Sequence, residues 1–223
     1  MNTGIQDAYN LAWKMALVLR DAAAARILDT YNEERLPNAK RLLQTTDRMF
    51  NLAAGTDWLV NVIRTTVFPP MAKFILSIDA IKKRFFPLIS QIGITYRVGS
   101  LSAHDGDEDF EVKAGDRMPY FLVDGKSVYD KLRQPKFHLL TFSDGQSDYV
   151  RDSPGQPGEI QSKDADLIDH YVLPLYPHAA EAFGANQSFS VLLRPDNYIG
   201  FISSETSSDR LATYLTEAIG NGS

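Results

Sequence analysis

The sequence contains no cysteine. That absence excludes a disulfide scaffold, a thiol nucleophile, a Cys-x-x-Cys redox pair and every thiolate-based zinc site. Nor is there a run of five like charges in a chain of net charge −5, so neither a nucleic-acid arm nor an acidic tail is present. Apolar runs stop, at charge or proline, well short of the roughly 20 residues that span a bilayer. Asp7, Asn10 and Lys14 interrupt the apolar residues near the amino terminus, which therefore lacks the pattern of a secretory signal, and a cytoplasmic location is expected. His104, His138, His170 and His178 share no His-x-x-x-His or Glu-x-x-His spacing, which argues against a helical metal site. No serine stands in a Gly-x-Ser-x-Gly elbow, so Ser143-Asp144-Gly145 reads as a turn.

What is there is the composition of an ordinary globular protein, 44% hydrophobic and 23% charged over 223 residues, enough to bury a core. From Gly4 to Leu19 the residues Ile5, Ala8, Leu11, Ala12, Met15, Ala16 and Leu19 recur at spacings of three and four, the period of an amphipathic helix. Thr3 and Gln6 have the spacing of a capping box, with Asp7 expected in the first turn. A second helix is expected from about Ala22 to Arg35, and Pro37 is placed to open a third. Between Trp58 and Ile92 the apolar residues are dense but cut by Pro69-Pro70 and Pro87, which suggests short helices. Residues 1–92 thus read as a helical segment.

After Gly93 the pattern changes. His104 to Asp109 reads as an acidic loop. Its carboxylates around Gly106 suit a hard cation but lack the spacing of an EF-hand, and a solvated loop is the better reading. Short β-type runs follow: Tyr120 to Val123, Phe137 to Phe142, Asp169 to Leu175, Ser188 to Leu193 and Tyr198 to Ile202. Arg194-Pro195-Asp196-Asn197 suits a tight turn joining the last two as a hairpin. An amphipathic helix from Ser208 to Ile219, stopped by Gly220, closes the chain. The Gly/Pro-rich stretch 151–159 reads as a surface loop within this half. The fold class expected is α/β.

Two segments carry a family resemblance. Met1-Asn2-Thr3-Gly4-Ile5-Gln6-Asp7-Ala8-Tyr9-Asn10-Leu11-Ala12-Trp13-Lys14 resembles the Gly-Met-Asn-x-Gly-x-x-Asp-Ala-x-Asn-Leu-x-Trp-Lys segment of FAD-dependent aromatic-ring hydroxylases. Tyr31-Asn32-Glu33-Glu34-Arg35-Leu36-Pro37 resembles their Tyr-x-x-Glu-Arg-x-Pro segment. A helix amino terminus presents backbone N–H donors and a partial positive charge, so it attracts an anion or an electron-rich oxygen. In the family that terminus faces the pyrimidine edge of the flavin. The resemblance therefore implies that Met1, Asn2, Thr3 and Gly4 contact FAD, with Gly4 allowing close approach of the backbone. The alternative is that they merely cap a helix. Tyr9, Trp13 and Trp58 would also suit stacking on a ligand, but aromatics at helical spacing are more often core.

From Gly115-Asp116-Arg117-Met118-Pro119 onward the chain resembles the thioredoxin-like carboxy-terminal domain of the phenol hydroxylase branch. This implies a mixed sheet in residues 93–223, with Asp144-Gly145-Gln146-Ser147 where a thioredoxin holds its cysteines. Redox exchange is excluded there and a packing or dimer-contact role is implied. The family binds its dinucleotide with Gly-x-Gly-x-x-Gly and a later Gly-Asp motif; the first is absent from these 223 residues, and no Gly-Asp pair here is read as the second. The expectation is thus the carboxy-terminal portion of an NAD(P)H-using aromatic hydroxylase, a truncated product or remnant in which Met1 matches an internal family methionine. Residues 1–92 would be the remnant of the catalytic domain, inactive alone. Expected partners are its own copy or the missing FAD-binding domain, with exposed apolar surface on the amino-terminal helices. The alternative is a non-catalytic interaction or dimerisation module.

Overall fold

A computed structural model describes residues 2–54, 62, 65–66, 70, 93–106, 109–145, 167–204 and 208–220. The short helices expected between Trp58 and Ile92, and the loop at 151–159, lie outside or almost outside these residues. Two compact units are present: Thr3–Glu34 with Thr95–Ser223, and Arg35–Ile94. The first carries the sheet.

Helix α1 spans Asn2–Leu19, a 3-10 turn spans Ala25–Asp29, and α2 spans Thr30–Ala54. Because α1 already begins at Asn2, Thr3 is inside the helix and does not cap it, and no acidic residue falls in the first turn. The expected capping box is not formed: the Gln6 Oε1 is buried without a hydrogen-bond partner. Pro37 does not open a helix of its own but sits within α2. Its fixed φ suits a helix, and what the helix loses there is one backbone donor.

The strands are β1 (Ala103–Asp105), β2 (Leu122–Val123), β3 (Lys126–Ser127), β4 (Phe137–Ser143), β5 (Ile168–Pro174), β6 (Phe189–Leu193) and β7 (Ile199–Ser203), with α3 (Pro177–Phe183) between β5 and β6 and α4 (Ser208–Ala218) after β7. The main sheet has the order β1-β7-β6-β4-β5. β4 and β5 are parallel, β6 runs antiparallel to both β4 and β7, and β1 is parallel to β7. The four strands β7-β6-β4-β5 are a parallel pair, β4 and β5, beside an antiparallel hairpin, β6 and β7. The mixed α/β fold is as the sequence implied. Two details differ. His104 and Asp105 belong to an edge strand instead of a loop, with Asp105 accepting from Ser203 Oγ at 3.1 Å. Of Tyr120–Val123 only Leu122 and Val123 are β, paired with Lys126–Ser127 in a separate two-stranded ribbon.

Strand alternation divides the core between the two faces. Leu140, Phe142, Phe189 and Val191 pack with Ala179 and Phe183 of α3, and the Phe142 and Phe189 rings stack at 4.7 Å. On the other face Phe137, Leu139, Leu192 and Phe201 meet Trp13 and Leu17 of α1, Ile27, and Leu211 and Tyr214 of α4. The first helix of the chain is therefore part of the core of the sheet domain. The turn between β6 and β7 closes as expected: Arg194 N–H donates to Tyr198 O, Asn197 N–H donates to Arg194 O, and Asn197 takes a φ of 62°.

Candidate functional site

Helix α1 is inverted relative to an ordinary amphipathic helix. Asn10, Trp13, Lys14 and Leu17 are buried, whereas Ile5, Ala8, Ala12, Met15 and Leu19 are exposed. A lysine enters a core only with a partner. Lys14 Nζ donates to Glu34 Oε2 at 2.8 Å and to Asn10 Oδ1 at 3.0 Å, and Asn10 Nδ2 donates to the same Glu34 oxygen at 2.8 Å. The β6–β7 turn completes the cluster. Arg194 Nη1 and Nη2 both donate to Glu34, while Nε and Nη2 donate to Asp196 at 3.1 and 2.6 Å. Asp196 also accepts from Trp13 Nε1 at 3.1 Å. The Arg194 guanidinium lies 5.3 Å from the centroids of both Trp13 and Tyr96, close enough for cation–π attraction.

Two cations thus face two carboxylates. The side chains of Lys14, Glu34 and Arg194 are fully buried. Burial alone would raise the Glu34 carboxyl, but Arg194, Lys14 and Asn10 outweigh it and hold it below its ordinary 4.5. Burial would lower the Arg194 guanidinium, and the charges of Asp196 and Glu34 carry it well above its ordinary value instead. Lys14 is pushed below 10.5 by burial, against the pull of Glu34. With a depressed folded value, Glu34 contributes stability that is fully present above pH 4.5 and is lost as pH falls through its folded value. Thermal melts of the wild type should therefore decline below about pH 4.5, and Glu34→Gln, though less stable at neutral pH, should show a shallower decline. Identical acid slopes would remove Glu34 from the account.

Of the residues expected to touch a cofactor, Met1 lies outside the described residues. Asn2 opens α1, Thr3 is half-buried in its first turn, and Gly4 is exposed. Nothing stands within 4 Å of the place a Cβ on Gly4 would take. A first turn without a carboxylate and with open space at its glycine fits the electron-rich edge of a flavin. Trp13 is core, as its spacing suggested, and Tyr9 donates its hydroxyl to Pro195 O at 2.9 Å. Elsewhere, a depression of about 510 Å³ beside Arg97, His104 and Lys113 offers no unpaired strong base, because Arg97 is forked onto Asp116 at 2.7 Å and Lys113 is paired with Asp109. No helix among the described residues is long and apolar enough to cross a membrane.

The motif residues Asn10, Trp13, Lys14 and Glu34 are therefore bound into a scaffold, and among the described motif residues the start of α1 remains as a candidate contact. Residues 1–46 match the family described as an FAD binding domain. A flavin-dependent monooxygenase of Mycobacteroides abscessus is 32% identical over 201 residues, which is 90% of this chain and 33% of that protein. The chain is similar to the FAD-dependent aromatic hydroxylases. It is a counterpart of their carboxy-terminal portion and spans about a third of the length of the curated relatives it matches. Pentachlorophenol 4-monooxygenase of Sphingobium chlorophenolicum is 30% identical, over 89% of this chain and 38% of its own length. Among solved structures, BexE, studied for oxidation during BE-7585A biosynthesis, matches with a TM-score of 0.68 at 28% identity, over 100% of this chain and 41% of BexE. CabE, an aromatic hydroxylase from angucycline biosynthesis, matches with a TM-score of 0.67 at 26% identity over the same shares. FAD is the cofactor of this family of hydroxylases.

Proposed function

We propose that these 223 residues are the carboxy-terminal scaffold of an FAD-dependent, NAD(P)H-using monooxygenase that hydroxylates phenolic or polycyclic aromatic substrates in the cytoplasm. Residues 1–92 belong to its catalytic domain and 93–223 are its thioredoxin-like domain. The observation that carries the reading is the convergence of both hydroxylase segments on one buried cluster with the β6–β7 turn. That cluster fixes α1 on the sheet, and so fixes the direction in which its amino terminus points.

When bound, FAD supplies the oxygen-transferring chemistry. What this chain contributes is positional. Asn2, Thr3 and Gly4 present the positive end of α1 to the flavin's electron-rich edge, and Met1 lies beside them in sequence. The depressed carboxyl of Glu34 keeps a full negative charge between Lys14 and Arg194 throughout the neutral range, which holds the helix in place.

By themselves these residues do not retain FAD. Incubation with excess FAD followed by gel filtration should leave the protein colourless and without aromatic-dependent NADPH oxidation. Stoichiometric flavin absorbance co-eluting with the protein would overturn this. A second reading, a non-catalytic interaction or dimerisation module, rests on the absence of cysteine where a thioredoxin reacts. Under it, adding a flavin-binding part from a relative would confer nothing.

A further inference from the structure

His138 lies on β4, an internal strand, with Asp169 of β5 and Leu193 of β6 as its cross-strand partners. It has no exposed surface. Nε2 stands 3.0 Å from Gln134 O. A carbonyl oxygen only accepts, so in the neutral ring Nε2 carries the hydrogen and Nδ1 the lone pair. That lone pair has no hydrogen-bond partner, and Asp169 Oδ2 stands 3.8 Å from it. Two acceptors thus meet across a gap that a proton would turn into an ion pair, in a core where an unsatisfied polar atom calls for an explanation. The titratable groups around the ring are Asp169 and Tyr171 of β5, the Tyr171 ring at 6.1 Å, and Lys136 on the approach to β4. From β6 the residue opposite is the apolar Leu193. Lys136 Nζ donates to the other oxygen of Asp169 at 3.2 Å, and the Tyr171 hydroxyl donates to Lys131 O at 3.2 Å.

We propose that His138 and Asp169 form a proton-operated latch, which keeps edge strand β5 on β4 at neutral pH and releases that corner of the sheet in mild acid. Charging Nδ1 inside the closed corner brings a cation into the core, and the anion that would receive it is already shared with Lys136. The proton is therefore taken up most readily when the corner opens and the ring reaches water. Burial holds the imidazole below its ordinary 6.5, against the pull of the Gln134 carbonyl and of Asp169, and Lys136 adds to the depression. A group depressed in this way contributes stability that is fully present above its ordinary value and is lost as pH falls below it. The latch thus works above the range of Glu34, whose folded value lies below 4.5. The joints that hold the corner are local, since residues 131–138 and 169–171 supply all of those just described. Among the described residues β5 is the outermost strand on its side, while the β6–β7 turn and its ionic cluster lie on the other side of β4. Release of β5 makes β4 the edge of the sheet and uncovers its backbone donors and acceptors. The latch acts in the sheet domain alone and needs no flavin.

Hydrogen exchange of the 223-residue chain, corrected for the intrinsic effect of pH, reads the corner directly. Amides of residues 137–141 and 168–173 should exchange through an opening separate from, and more frequent than, that of β6 and β7. Its frequency should rise by up to about tenfold from about pH 7.5 to about pH 5.5, the limit for one imidazole that stays neutral when closed. Corner amides that exchange only together with β6 and β7, or with a frequency indifferent to pH, overturn the latch. Nitrogen-15 spectra of the imidazole at neutral pH should show a protonated Nε2 and a bare Nδ1, and a ring protonated on both nitrogens there also overturns it. Two variants separate His138 from the other histidines, with the ratio of opening at the two pH values as the readout. His138→Gln keeps a donor for Gln134 O but cannot titrate, so it should abolish the rise. Lys136→Met frees Asp169 for the ring, so His138 should take up its proton at higher pH and the rise should shrink. Should His138→Gln fail to fold, Lys136→Met decides by itself. A rise undiminished in the variants that fold belongs to another group, and the latch is wrong.

Discussion

Glu34→Leu should cost about 3–5 kcal/mol, the usual penalty for removing one partner from a buried ion pair, and so a large part of the stability of the sheet domain. The carboxylate is shared by Lys14, Asn10 and Arg194, and deleting it leaves two cations in the core with Asp196 as the remaining anion of the cluster. Leucine fills much of the volume, so the loss isolates charge from packing. Urea denaturation followed by far-ultraviolet circular dichroism measures it through the shift in midpoint. The companion variant decides the interpretation. Adding Lys14→Met to Glu34→Leu removes one stranded cation and should recover part of the loss. A double variant no better than the single would mean that the pairing is not what Glu34 contributes.

Gly115→Ala should be comparably damaging, at about 3 kcal/mol or more. Gly115 has a φ of +86°, and a Cβ there would stand 2.4 Å from Arg97 N, 2.5 Å from Tyr96 C and 2.6 Å from Arg97 Cα. All three are backbone atoms, so no rotamer change relieves the clash. The residue is also a junction: its N–H donates to Ile199 O and its C=O accepts from Tyr96 N–H, both at 2.7 Å. Pushing it aside loosens the segment that carries the Arg97–Asp116 fork from β7. Gly125→Ala is the control, with a similar φ of +75° but open space around it. It should cost only the conformational strain, about 1 kcal/mol. Equal losses in the two variants would show that φ and not contact governs Gly115.

Most of the architecture was legible because it depends on local pattern. The runs ending in β4 to β7 are dense in β-branched and aromatic residues, and Arg194-Pro195-Asp196-Asn197 has turn chemistry wherever it occurs. Helix α3 left weaker traces, a proline at its start and Gly184 after it, which only in retrospect bracket seven residues. The ionic cluster could not be read in the same way. Asn10 and Lys14 looked like the solvent side of α1 because periodicity records polarity and knows nothing of partners. Their partners lie elsewhere: Glu34 in another helix, and Asp196 in a turn whose arginine and aspartate had already been explained as turn residues. The one sequence-level hint was the family resemblance itself, since Asn10, Trp13, Lys14 and Glu34 all fall inside the matching segments without any evident reason to touch a flavin.

The reach of that cluster along the chain also sets a timetable. Asn10 and Trp13 bond to Asp196, 186 and 183 residues later. At roughly 5–20 residues per second, a ribosome needs about ten seconds or more to deliver Arg194 and Asp196 after α1 has emerged. Throughout that interval the buried cluster around Lys14 and Glu34 lacks Arg194 and Asp196. A helix whose buried charges find their last partners near the end of the chain must therefore be held in waiting while the chain is made. Its native position is a late event in biosynthesis, settled only when the β6–β7 turn closes over it.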